Sequence, residues 1–231
     1  NQLGNYTKSH NISLYNRQAA ALALIHDIGK MAPNDPNVTR RRADFLYFSV
    51  PDHPTIGGDY IDGSKQLQVY RGDPYERVGE MDIISVLMDL GLDSSLNGRR
   101  FWRKIIDHHW NFGEIVRKID ANEMDFDRGA KEYIEKCGKN ETFQFYYILV
   151  IVSMADIMAS QAYGIGNLSE VGLYPTSTYF PYITNRPKKY RGGNVEITSR
   201  PYRLALARRV LKLIAARPPP IPANVDAMVI D

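Results

Sequence analysis

From Thr142 to Tyr163 the chain is apolar around almost its whole circumference and carries one charge, Asp156. A helix with no polar face cannot lie on a surface, so this segment must form the centre of a domain with other elements packed about it. The partners on offer are also helical. Asn16–Lys30 is rich in Ala and Leu and stops at Gly29-Lys30, and a second helix runs on from Pro54, which a first turn tolerates. Met81–Leu90 is closed by Gly91, and Arg99–Trp110 sets Trp102, Ile105, Ile106 and His109 at helical spacing. Asp127–Lys136 reads as a surface helix, and Pro201–Arg217 as a basic amphipathic helix halted by Pro218-Pro219-Pro220. Residues 31–54 read as loop, with a short apolar stretch at Phe45–Val50. The expected fold is an all-α bundle.

Texture changes after Gly164. Residues 164–201 are rich in Gly, Pro, Tyr, Thr and Asn, with a hairpin candidate at Arg191-Gly192-Gly193-Asn194. This divides the chain into a helical domain, residues 1–163, and an irregular C-terminal extension, residues 164–231. No internal repeat or low-complexity tract interrupts either part.

Composition removes several classes of protein. Over 231 residues, 44% hydrophobic and 24% charged content fits a globular chain, not a disordered one. The single cysteine, Cys137, rules out an internal disulfide and any multi-cysteine metal site; it carries no visible function and favours a reducing, cytoplasmic setting. The longest apolar run, Phe143–Met154, is about half of a membrane span, so no membrane partner is expected. The opening Asn-Gln-Leu-Gly has no basic-then-apolar leader, so no signal peptide is expected either. A net charge of +3 is mild but clustered, at Arg40-Arg41-Arg42, at Arg99–Lys104 and from Arg186 to Arg209, which suits an anionic, phosphate-bearing substrate. Oligomeric state is not legible from these features.

Chemistry concentrates in the histidines: His10, His26, His53, His108 and His109. His26 is followed by Asp27, His53 lies in Asp52-His53-Pro54-Thr55-Ile56-Gly57, and His108-His109 follows Asp107. Imidazole with carboxylate suits Mn, Fe, Zn or Mg, and ligands drawn from several helices can hold two divalent ions for in-line attack on phosphorus. Asp156 fits the same picture, since a carboxylate inside an apolar helix needs a partner and a metal is a good one. Each residue also has a plainer reading. His26 alone would be a hydrogen-bonded core histidine, His53 a helix cap, Asp156 a structural carboxylate, and Lys30 a cation favoured by a helix C-terminus.

The motifs and their order resemble the HD-domain superfamily of metal-dependent phosphohydrolases. Leu24-Ile25-His26-Asp27-Ile28-Gly29-Lys30 is similar to its signature, His53-Pro54-x-Ile56-Gly57 to the next motif, especially in the HD-GYP branch, Asp107-His108-His109 to the His pair, and Ser153–Ser160 to the closing Ala-Asp motif. The likeness spans roughly residues 16–163. It implies His26 and Asp27 as metal ligands, with Asp27 able to bridge two ions, His53, His108 and His109 for a second ion, and Asp156 closing the first site. His108 ranks slightly ahead of His109, which lies about 100° away on the same helix. Lys30 would sit near the substrate phosphate, and water activated between the ions would attack phosphorus.

Two features depart from the pattern. Trp110-Asn111-Phe112-Gly113-Glu114 stands where the HD-GYP branch has Gly-Tyr-Pro, which weakens a cyclic di-GMP phosphodiesterase reading. His10, 16 residues before His26 (26 − 10), is close for the family's opening His; either it reaches in from a loop or that His precedes residue 1. The substrate is expected to be a nucleotide or a single-stranded nucleic acid. HD-type relaxases share the His-Asp-x-Gly-Lys and Ala-Asp-x-x-x-Ser pattern, which makes a DNA-strand nuclease or relaxase the alternative, and di-iron oxygenases of the HD fold are a further one. Tyr174, Tyr179, Phe180, Tyr182 and Tyr190, with Lys188, Lys189 and Arg191, suit base stacking and phosphate contact at the mouth of the site.

Overall fold

A computed structural model describes residues 11–31, 53–71, 76–165 and 193–217. In those residues the chain is all-α apart from one hairpin. The helices are α1 (Ile12–Ile25), α2 (His53–Asp62), α3 (Ile83–Asp89), α4 (Leu96–His108), α5 (Asn111–Asp120), α6 (Phe126–Cys137), α7 (Phe143–Ile165) and α8 (Gly193–Ala215). A 3-10 turn, Ile28–Met31, follows α1. The antiparallel strands β1 (Leu67–Arg71) and β2 (Glu76–Met81) lie between α2 and α3.

As the sequence requires, α7 is central, with Phe145, Tyr146, Ile148, Leu149 and Val152 all buried. On one side it packs against α1. The contacts Tyr147–Asn16 and Asp156–His26 are separated by 131 and 130 residues, so the two helices run in the same direction with a nearly constant offset. Elsewhere α7 meets α4, α5 and α8. Leu206, Val210 and Ile214 of α8 are buried in the same hydrophobic cluster as Trp102, Phe112 and Tyr133, so the C-terminal helix shares the core. No helix among the described residues is long and apolar enough to cross a membrane.

Several expected boundaries shift for physical reasons. The first helix ends at Ile25, not Lys30, and the chain tightens into the 3-10 turn. Met81 belongs to β2, and α3 starts after Asp82, whose carboxylate accepts the Ile84 N–H. Ser95 caps α4 in the same way through the Gly98 N–H. The C-terminal helix begins at Gly193, so Gly193 and Asn194 are helical and no hairpin forms across them; Arg191 and Gly192 lie outside the described residues. Two elements had no counterpart in the sequence reading. One is α5, although Phe112, Ile115, Val116 and Ile119 form a buried stripe at helical spacing. The other is the hairpin, where Val69-Tyr70 and Arg77-Val78 flank Gly72-Asp73-Pro74, a turn signal in the sequence. The register slips between Val69 and Tyr70, where Val69 faces Gly79 and Tyr70 faces Arg77, leaving Val78 as an extra residue on β2.

Candidate metal centre

Three glycines bring the ligand-bearing segments together. A Cβ on Gly29 would overlap the His53 carbonyl oxygen and crowd the Gly57 N–H, so the 3-10 turn can lie on α2 only because that side chain is absent. Gly57 also lets α4 approach, since its hypothetical Cβ would stand 3.1 Å from Ile106 Cγ2. A Cβ on Gly58 would run into the Asp107 carboxylate. The same α2–α4 junction is tied by Arg103, whose guanidinium donates to Asp59 (2.8 Å), Asp62 and Asp107 (3.4 Å).

These contacts place five donors in one cluster. His26 closes α1, Asp27 leads into the turn, His53 begins α2, His109 follows the last residue of α4, and Asp156 lies in α7. His26 Nε2 is 3.3 Å from Asp156 Oδ1 and 3.5 Å from Asp27 Oδ2. His53 Nε2 is 3.1 Å from Asp27 Oδ1 and 3.3 Å from His109 Nε2. The Asp27 carboxylate therefore turns Oδ2 toward His26 and Oδ1 toward His53. One nitrogen or oxygen each from His26, Asp27 and His109 lies within 4.8 Å of the others. His53 and His109 are 0% and 1% exposed, which puts this half of the cluster out of bulk water.

Hydrogen bonding fixes which ring nitrogens face inward. His26 Nδ1 lies 2.7 Å from the Ala23 carbonyl and His109 Nδ1 2.6 Å from the Ile106 carbonyl. A carbonyl only accepts, so each Nδ1 carries a proton, and in the neutral ring Nε2 presents its lone pair to the cluster. Burial, with His26 and His53 nearby, holds His109 down to about 4 against the pull of the Ile106 carbonyl and Asp156, so it is neutral near pH 7. His26 behaves oppositely. Burial opposes its charge, but the Asp156 hydrogen bond and the Asp27 and Asp156 charges outweigh that and raise its pKa. Asp156 is in turn lowered, its burial overcome by His26 and His109. Neutral imidazole lone pairs beside two carboxylates, at a point that favours positive charge, are the donor set a divalent cation needs, with second nitrogens held by carbonyls as in metal-ligating histidines.

The sequence-selected residues separate clearly. His26, Asp27, His53, His109 and Asp156 converge. His108 does not: its Nδ1 is 3.2 Å from Asn111 Nδ2, and the charges bearing on it are Glu141 and Lys104. The sequence ranks His108 ahead of His109, but it is His109 that lies in the cluster, because α4 ends at His108 and the cap residue His109 turns inward. His10, the Lys30 side chain, the Arg40–Arg42 cluster and the aromatic and basic residues 174–191 lie outside the described residues. One neighbour of the cluster has no counterpart in the sequence reading. Trp110, where the sequence departs from the HD-GYP pattern, packs against His53 with the two rings nearly perpendicular and their centroids 5.1 Å apart. Compared with family models, curated proteins and solved structures, the chain matches none of them.

Proposed function

We propose that this chain is a divalent-metal-dependent phosphohydrolase, most naturally a phosphodiesterase, acting on a phosphate ester of a nucleotide or nucleic acid. The observation that carries the reading is the convergence of His26, Asp27, His53, His109 and Asp156 from four separate regions of chain, with the inward lone pairs of His26 and His109 set by carbonyl hydrogen bonds. Divalent ions held there would lower the pKa of water and neutralise charge on phosphate oxygens. Ligation requires the imidazoles in their neutral form, and three such rings with two carboxylates would carry −2. Two divalent ions would leave +2 at the centre, matched to an anionic ester. Asp27, with an oxygen toward each half, is suited to span both ions, and a single ion would be served by His26, Asp27, His109 and Asp156. Buried His53 and His109 would keep one side of the centre dry, which strengthens electrostatic interaction with the substrate.

The test is metal analysis of the purified protein, followed by a panel of phosphomonoesters and phosphodiesters with added Mn²⁺. Expected are one to two equivalents of bound metal and metal-dependent release of alcohol or phosphate. A protein that takes up no divalent ion overturns the reading. Iron with a mixed-valence signal and O₂ uptake would transfer the same ligands to oxygen chemistry instead.

A further inference from the structure

Phe101, Trp102, Phe112, Tyr133, Phe145 and Tyr146 touch one another edge to face through the interior. Trp102 is typical, being buried with its indole N–H donated to the Asp93 carbonyl at 2.9 Å. Trp110 differs in each respect. It is half-buried, and among the described residues its one ring contact is with His53 and its indole N–H has no hydrogen-bond partner. The two rings are nearly perpendicular, at 87°. Such a contact can occupy at most one face of the indole, so another face is left clear of it. The position is restricted as well: Trp110 follows His109 directly and makes no side-chain capping bond to α5. A large, flat, partly exposed ring beside a half-buried cluster of imidazoles and carboxylates is a surface that can stack on a planar group attached to a bound anion.

We propose that Trp110 is the substrate platform of this centre, stacking on the nucleobase while the phosphate of the same nucleotide sits at the His–Asp cluster. This rests on the phosphohydrolase reading and deepens it by naming the residue that selects the substrate: a phosphate ester bearing a planar base, in preference to a sugar phosphate or inorganic phosphate. Trp110 acts in binding, not in bond cleavage.

The chain has two tryptophans, and the other is buried, so Trp110 also supplies the optical signal. The experiment titrates Mn²⁺-loaded protein with AMP and with ribose 5-phosphate, following tryptophan emission and, independently, calorimetric affinity. AMP is expected to change the emission and to bind at least about tenfold more tightly than ribose 5-phosphate, the scale of one base stacked on one aromatic ring. Trp110→Ala should abolish that preference while metal content and ribose 5-phosphate affinity stay as they were, and Trp110→Phe should restore part of it. Equal affinity of the wild-type protein for the two ligands overturns the proposal whatever the variants do, as does an unaltered preference in Trp110→Ala. If metal is bound and ribose 5-phosphate binds but AMP binds no better, only the role of Trp110 fails. If no metal is bound and neither ligand binds, the phosphohydrolase reading fails with it.

Discussion

His108 and His109 are adjacent in sequence and meet different surroundings. His108 faces Asn111 on the α4–α5 shoulder, while His109 lies 3.3 Å from the Nε2 of His53. Metal analysis should therefore separate them: His109→Ala loses at least one equivalent of metal, and His108→Ala keeps its full complement. Equal loss in both would contradict the placement. Asp27→Ala should lose metal and turnover while retaining its helical circular dichroism, because a ligand in a partly open site contributes more to metal affinity than to packing; turnover by the metal-stripped variant would exclude the proposed chemistry. The sequence revealed the kinds of residue at this scale but not their directions. Two neighbours about 100° apart on a helix can be ranked only if the end of the helix is known, and that end depends on tertiary contacts no local pattern encodes.

At the scale of elements, close approach and charge set the geometry. Gly29→Ala would force the 3-10 turn away from α2 at its contact with the His53 carbonyl. It should cost about 3 kcal/mol, the upper part of the range for overpacking, and weaken metal affinity as His26 and Asp27 move from His53; chemical denaturation and metal titration check the two effects. Arg103→Met removes the cation shared by Asp59, Asp62 and Asp107. These groups are partly exposed, so solvent screening limits the expected cost to about 1–3 kcal/mol at neutral pH. Burial tends to raise Asp62, but Ser64 and Arg103 outweigh it and hold its pKa below the ordinary 3.8. A carboxylate depressed in the fold stabilises above its unfolded pKa and loses that stabilisation as pH falls through the folded one. The wild-type advantage over Arg103→Met should thus be full near neutrality and shrink below about 3.8, as acid unfolding of both proteins would show. The glycines and Arg103 were visible in the sequence, but their purpose was not, since each acts on a residue far along the chain. The stripe of α5 and the turn signal of the hairpin were local and could have been read.

At the scale of the molecule, the all-α class was legible because a helix without a polar face leaves few alternatives. The place of the C-terminal helix was legible in part: a basic amphipathic helix needs a core or a partner for its apolar face, and Leu206, Val210 and Ile214 anchor it in the core. Leu206→Ala should cost about 2–5 kcal/mol, as for other fully buried leucines, and thermal unfolding should remain a single transition. The parallel pairing of α1 with α7 has a consequence in time. His26 meets Asp156 only after 130 residues of intervening chain have closed, a contact far more distant in sequence than those that join α5 to α6. Loop closure disfavours such contacts early, so the two faces of the centre should meet after the barrier to folding has been crossed. Metal would then leave the refolding rate almost unchanged and slow unfolding, so a chelator should shorten the life of the native state without hindering its formation.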